Sequence, residues 1–417
     1  MRLLLIVPHW PPEIGSAAHI YYDLARGFVK RGHEVHIITS YPRGYNLHKK
    51  DRGKAYPMYE VMDNIKVHRC TYPLSKRDLI FLRGVEHFIL PYIYYKKLKK
   101  INIKFDVCLI YVPPLPLYYL GEKIKKKMGV PYVLNFQDIH PDELIDGGVL
   151  KNRLIIKILR RIEKSAYKNP DYITVMSPGG VELIKKRGKR NNNIECIYNS
   201  VNLDEIDKFK RVKNFKKREN IKDKFLVTYA GILSPFQGLD DILDVAKMMK
   251  EYRDIVFYIV GDGMIKKHLE RRKEREKIDN LKILPLQPRE EYFNIINSSD
   301  INIVSLDRRM TAPCIPGKLS NLLSLGKTII ANVPEDNDTA KILKENNCGL
   351  VVTPGDLQEF KNAIIKLKDD EGLRMTFSEN GKKFVEENMN LDKIVTRYEE
   401  IFVMITNKNG DGSFNNR

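Results

Sequence analysis

One local order occurs twice in this chain and constrains its fold more than anything else. A short aliphatic or β-branched run leads through a loop rich in glycine and proline to apolar residues at helical spacing, and a second β-type run follows. Leu3–Val7 leads through Pro8–Gly15 (PHWPPEIG) into His19–Arg31, which Gly32 stops before Glu34–Thr39. Further β-type runs at Asp106–Val112, Tyr132–Phe136 and Tyr172–Met176 alternate with helical patterns, as in a parallel sheet covered by helices. The order restarts at Phe225–Tyr229, with the loop Gly231–Gly238 (GILSPFQG), the helix Leu239–Glu251, the strand Val256–Val260 and the turn Gly261-Asp262-Gly263. Strands are expected again at Lys282–Leu284, Ile301–Val304 and Thr328–Ala331. A length of 417 residues accommodates two such cores. The expectation is therefore an α/β chain of two doubly wound domains facing across a cleft, with the charged stretch Asp204–Lys222 as linker and Asn407–Arg417 as a flexible tail.

Composition narrows the partners. At 43% hydrophobic and 30% charged the chain is globular, and 72 Lys and Arg against 53 Asp and Glu give a net charge of +19. Such a surface suits nucleic acid, an anionic membrane face or a phosphorylated substrate. No helix-turn-helix, RNP, KH or zinc-finger pattern supports nucleic acid. The five cysteines (Cys70, Cys108, Cys196, Cys314, Cys348) form neither a metal pattern nor a disulfide framework, which fits a reducing cytoplasm. The apolar N-terminus is too short for a secretory segment, and no stretch approaches the roughly 20 apolar residues of a spanning helix.

Chemistry is expected where loops leave the carboxyl ends of strands. Pro8–Gly15 reads equally as a stiff loop admitting a phosphate or sugar and as an ordinary connection. Gly231–Gly238 holds the same position in the second half, and without GK[ST] it is not a Walker loop. Gly261-Asp262-Gly263 reads first as a structural turn. In Cys314–Gly326 (CIPGKLSNLLSLG), Lys318 falls in a first helical turn, where an anionic ligand would relieve its opposition to the helix dipole; a solvated lysine is the simpler reading. Asp138, His140, Asp142 and Glu143 cluster after Tyr132–Phe136, with Asp138 and His140 suited to acid–base or hydroxyl-orienting work and Asp142 and Glu143 to a helix start. No metal-ligand spacing occurs. Val85–Lys100 carries aromatic residues followed by Lys96, Lys97, Lys99 and Lys100, either a core helix with a solvated end or a surface for anionic lipid.

Taken in order, PHWPPEIGSAAHIYYDLARGFVKRGHEVHIIT, DVCLIYVPPLPLYYLG, VPYVLNFQDIHPDEL, VMSPGG, YAGILSPFQGLDDILDVA, YIVGDGMIKKHLE, IPGKLSNLLSLGKTIIAN and CGLVVTPGD resemble the GT-B-fold retaining glycosyltransferases, in particular the fucosaminyltransferase-like branch of cell-surface polysaccharide assembly. The resemblance runs from Leu3 to about Phe402. It implies an acceptor-binding Rossmann-like domain (1–205), a nucleotide-sugar-binding Rossmann-like domain (206–385) and a crossover helix (386–406, about Leu391–Phe402) returning to the first domain. Donor contacts would fall on Gly15, Gly231, Gln237, Gly261, Asp262, Lys318 and Asn321. Gly317 replaces the serine of the branch's Pro-Ser-Lys motif. The paired glutamates common among relatives become Pro313 and Asn321, an arginine and a lysine of the second loop become Ile232 and Gln237, and a His-Asp pair becomes Gln137-Asp138.

The resemblance further implies sugar transfer from a UDP-linked donor with retention, without metal or cofactor, to a glycan or polyprenyl-linked acceptor. Lys318 would neutralise the leaving diphosphate, Asp138 would orient the acceptor and His140 would assist. The protein would sit in the cytoplasm, peripheral at the inner membrane face and touching it through the N-terminal domain. Two alternatives share the fold: a catalytically silent subunit binding a glycan or partner enzyme, and a nucleotide-sugar 2-epimerase.

Overall fold

The structure, a computed structural model, describes residues 1–13, 15–43, 47, 51–71, 80–189, 193–210 and 213–410. The chain folds as two units. The first comprises Met1–Pro141, Lys151–Ser200 and the segment from Leu391; the second comprises Asp142–Leu150 and Val201–Asn390.

The first unit is built on eight strands, β1 (Arg2–Ile6), β2 (Glu34–Ser40), β3 (Tyr59–Met62), β4 (Ile65–Cys70), β5 (Val107–Val112), β6 (Tyr132–Phe136), β7 (Tyr172–Val175) and β8 (Ile194–Cys196). Their order is β3-β4-β2-β1-β5-β6-β7-β8, parallel throughout except for β3. From Leu3 to Ile6 strand β1 is apolar and buried because it is covered on both faces, with Arg2 exposed at its start. Leu4 and Ile6 belong to the core that one face of the sheet forms with the helices Ile80–Ile101, Tyr118–Met128, Arg153–Lys168 and Pro178–Gly188, whereas Leu3, Leu5 and Val7 belong to the core formed with Ser16–Lys30 and Leu391–Gly410. The last helix buries Ile394, Val395, Tyr398, Ile401, Phe402 and Ile405, and a Cβ on Gly27 of the facing helix would come within 2.5 Å of Val395. A buried polar network fastens it. The Asn135 amide donates to the Tyr398 hydroxyl (3.0 Å) and to Thr174 (2.9 Å), and its carbonyl accepts from Tyr21 (2.5 Å).

The second unit has six parallel strands, β9 (Phe225–Ala230), β10 (Ile255–Val260), β11 (Leu281–Leu284), β12 (Ile301–Ser305), β13 (Ile329–Asn332) and β14 (Leu350–Val352). The order β11-β10-β9-β12-β13-β14 reverses between β9 and β12, the point where open sheets of this kind take ligands.

The expected linker lies within the second unit, whose longer segment runs from Val201 to Asn390. Its residues form the helices Leu203–Phe209 and Phe215–Arg218; Phe209 stacks on Phe293 at 4.3 Å, Phe215 is buried, and Asn294 accepts from the Asn214 and Phe215 amides (3.0 and 3.2 Å). Phe209, Phe215 and the buried Ile206, spaced among charged residues, were enough to fold a stretch that reads as charged. The expected tail is helical through Gly410, with 411–417 outside the described residues, and the helix Glu371–Asn388 occupies 386–388, so the crossover helix begins only at Leu391.

Candidate functional site

The loops leaving β9 and β10 are pressed together by their backbones. Gly231 donates its amide to Val260 (2.9 Å) and Gly261 to Leu284 (3.0 Å), and a Cβ on Gly261 would lie 1.9 Å from the Gly231 carbonyl oxygen. Only glycine fits there. Beside them the loop after β9 closes in a single turn, Pro235–Gln237, and then Gly238, whose φ of 55° brings it against the backbone of Leu306 and Asp307 beyond β12.

Lys318 enters this ground as the first residue of the helix Lys318–Ser324. Its ammonium stands 3.7 Å over the Tyr229 ring centroid and 3.4 Å from Gln237 Oε1, and a Cβ on Gly231 would lie 3.0 Å from it. The Tyr229 hydroxyl shares its proton between Gln237 Oε1 (3.0 Å) and the Ile232 carbonyl (2.9 Å). Among the described residues no carboxylate answers the lysine, and burial brings its pKa down to about 7. This is a cation held in place by an aromatic face and an amide oxygen, next to glycine backbone.

The other sequence candidates of this unit lie around that point. Asp262 is exposed in the turn after β10, where its carboxylate accepts from Gly263 (2.8 Å) and its carbonyl from Leu233 (3.0 Å). Asn321, one helical turn beyond Lys318, hydrogen-bonds the Tyr292 hydroxyl, which burial pushes up to about 12. Tyr229 and Tyr292 went unrecognised from sequence, as did Asp146. The Asp146 carboxylate holds the loop beyond β12 through the Thr311 amide and hydroxyl (2.7 and 2.9 Å) and the Ala312 amide (2.8 Å). Nothing in the short segment Asp142–Leu150 signals a contact with residues so distant in the chain.

Gly15, Asp138 and His140 belong to the first unit, on the loops after β1 and β6. Gly15 heads the helix Ser16–Lys30 with open space around it. Ile14 of that loop is outside the described residues. The buried Glu13 carboxylate pins the loop by accepting from His9 Nδ1 (2.7 Å) and the Arg43 amide (2.8 Å). Asp138 and His140 are half-buried next to Gln137, which bridges Asn135 (2.6 Å) and Asn199 (2.7 Å). Asp142 and Glu143 open the helix Asp142–Asp146, and burial raises the Glu143 carboxyl. All five cysteines are free, and burial pushes the Cys70 and Cys348 thiols up to about 12, far from thiolate character. Among the described residues no three His, Cys, Asp or Glu side chains converge as for a metal, and no helix is long and apolar enough to cross a membrane.

Two doubly wound units, with an unanswered cation at the strand reversal of the second, define a GT-B glycosyltransferase architecture, and comparison with known proteins agrees. Residues 15–205 match Glycosyltransferase Family 4 and residues 210–384 match Glycosyl transferases group 1. A Methanocaldococcus jannaschii protein described as the uncharacterized glycosyltransferase MJ1069 is 27% identical over 261 residues, 62% of this chain and 64% of its own length. The Escherichia coli UDP-Gal:alpha-D-GlcNAc-diphosphoundecaprenol alpha-1,3-galactosyltransferase is 24% identical over 389 residues, 90% of this chain and 93% of its own. The solved structure of Anabaena Alr3699/HepE in complex with UDP superposes with a TM-score of 0.72 at 15% identity, covering 97% of this chain and all of that one.

Proposed function

We propose that this glycosyltransferase moves a sugar from a UDP-linked donor to a glycan or polyprenyl-linked acceptor in cell-surface polysaccharide or glycoconjugate assembly, with retention at the anomeric carbon. The observation that carries this reading is Lys318, whose amine has no carboxylate partner among the described residues and lies beside the glycine backbone of Gly231. A diphosphate is the counter-ion this arrangement lacks, and stabilising charge as it develops on a leaving phosphate is the strongest contribution such a site makes. Support comes also from relatives: the Escherichia coli enzyme is named for UDP-galactose and a diphosphoundecaprenol acceptor, and Alr3699/HepE was solved with UDP-glucose.

In this reading the second unit takes the donor at Gly231, Gln237, Gly261, Asp262, Lys318 and Asn321, with Gly15 contributing from the first. The bond from the anomeric carbon to the diphosphate breaks, the acceptor hydroxyl oxygen bonds that carbon, and its proton passes to the departing phosphate oxygen. Asp138 orients the acceptor, with His140 beside it. No protein nucleophile, metal or cofactor is required. The first unit rests on the inner membrane face through Lys96, Lys99 and Lys100, which are exposed, while Lys97 donates to the Met58 carbonyl at 3.3 Å. Nucleic acid has no part.

Release of nucleoside diphosphate that depends on both donor and acceptor, with an α-configured product from an α-linked donor by NMR, is the expected result. A second reading, a silent subunit, is favoured by Pro313 and Asn321 where relatives carry glutamates and by the engagement of Asn321 with Tyr292. Absence of turnover across a panel of donors, with UDP still bound, would select it.

A further inference from the structure

The end of the helix Ile80–Ile101 and the amino-terminal halves of β2 and β4 line a cavity of about 300 Å³ in the first unit, at the lower end of the range of small-molecule sites. The proposed transfer does not use it. Register pairs His36 with Lys66, Ile38 with His68 and Tyr59 with His68, so that His36, Lys66, His68 and Tyr59 share one sheet face with the core residues Ile38 and Cys70. Two imidazoles therefore stand where the strands would otherwise continue the apolar core, His36 1% and His68 8% exposed. Lys97 and Lys100 line the cavity from the helix, and Ile101 and Ile103 complete its wall.

Positive charge here exceeds what the neighbouring acid balances. Glu34 accepts from Lys66, from Arg2 Nε (3.1 Å) and from His36 Nε2 (3.1 Å), and Lys66 above all holds its carboxyl down to about 2. Lys97 donates to the Met58 carbonyl at 3.3 Å, and among the described residues no carboxylate pairs with Lys97 or Lys100. Because His36 Nε2 donates to Glu34, its Nδ1 accepts from His68 Nε2 at 3.2 Å, which leaves His68 Nδ1 as the nitrogen that can take a further proton. Burial, and then His36, Lys97 and Lys66, lower the His68 imidazole to about 4, and burial lowers His36 as well. Both rings are neutral at neutral pH.

The geometry points to a second anion site: this cavity takes the phosphate dianion of a small phosphorylated metabolite, or free phosphate, between the Lys97 and Lys100 ammonium groups and the paired imidazoles of His36 and His68. Two ammonium groups without carboxylates match the two charges of a dianion, while the Tyr59 ring, Ile101 and Ile103 offer apolar contact to an organic part. A dianion also offsets the repulsion that Lys97 and Lys66 exert on His68, so that the ring gains a proton and donates from Nδ1. The loops bearing Gly15 and Asp138 leave the carboxyl ends of β1 and β6, the opposite end of the sheet, so occupancy of this cavity is separate from acceptor binding. The inference stands independently of the donor chemistry at Lys318.

The test is calorimetry at about pH 7.5, where a phosphate monoester is mostly dianionic, with UDP at saturation to fill the donor site. Glucose 6-phosphate should bind saturably and equally to wild type and Lys318→Gln. It should bind at least about tenfold more weakly to the double variant Lys97→Ala, Lys100→Ala, with melting temperature and UDP binding unchanged. Tighter binding than inorganic phosphate assigns the cavity to a phosphorylated metabolite, and equal or weaker binding assigns it to free phosphate. In NMR spectra at about pH 6, the His68 imidazole signals, identified by their loss in His68→Gln, should move to the imidazolium position when the tighter of the two is added. Absence of saturable binding by either phosphate, wild-type affinity in the double variant, or a His68 ring that stays neutral in the bound protein overturns the inference. So does loss of binding in Lys318→Gln, which would place the anion at the donor site.

Discussion

Lys318 combines an amine with little water around it and, among the described residues, no acid to balance its charge, and its behaviour with pH follows from that combination. Burial lowers its pKa from 10.5 to about 7. An unfolded chain therefore binds more protons at this residue between those two values, so its contribution to folding stability rises as pH climbs through that window and is smallest below it. A bound diphosphate reverses the balance by favouring the ammonium. Calorimetric titration with UDP at about pH 8.5, in buffers of different ionisation heat, should show uptake approaching one proton per UDP bound. Lys318→Gln should abolish the uptake, and identical heats for wild type in the two buffers would show that the lysine does not meet the phosphates. At this scale Gly231 and Gly261 stood out because each follows a β-type run, whereas Lys318 stood out by its place in a first helical turn, and the donor roles of all three came from resemblance. Tyr229 was hidden within a β-type run, where an aromatic reads as core, and the tie between Asp146 and Thr311 joins residues that no local pattern connects.

Among elements, the terminal helix Leu391–Gly410 shows how a polar contact can fix an apolar one. Its Tyr398 hydroxyl accepts from Asn135 at 3.0 Å and lies 3.2 Å from Thr174 Oγ1, all three buried. Tyr398→Phe leaves that amide short of an acceptor and should destabilise the first unit by about 1–3 kcal/mol, seen as a lower urea midpoint; an unchanged midpoint would mean that the network contributes nothing net. Most strands were legible to within a residue or two because parallel strands covered on both faces are continuous apolar runs. β3 and β4 were not. They form a hairpin at the sheet edge, where Glu60, Lys66 and Arg69 interrupt the pattern, and the turn is marked only by Asp63 and Asn64, both at positive φ (47° and 62°).

For the whole molecule, the repeated strand–loop–helix order was sufficient to read two doubly wound units, and the returning helix came from resemblance rather than from periodicity. The stretch Asp204–Lys222 reads as a linker because sparse anchors such as Phe209 and Phe215 do not stand out among charged residues. A transfer in which Lys318 supplies the positive charge should proceed unchanged after dialysis against EDTA; loss of turnover restored by magnesium or manganese would assign that role to a metal. The most direct measurement compares wild type and Lys318→Ala for nucleoside diphosphate release in the presence of donor and acceptor, with thermal unfolding followed in parallel. The account predicts at least about a tenfold lower turnover in the variant, equivalent to about 1.4 kcal/mol of transition-state stabilisation, in a protein that remains folded. Equal kinetics in the two proteins would contradict it.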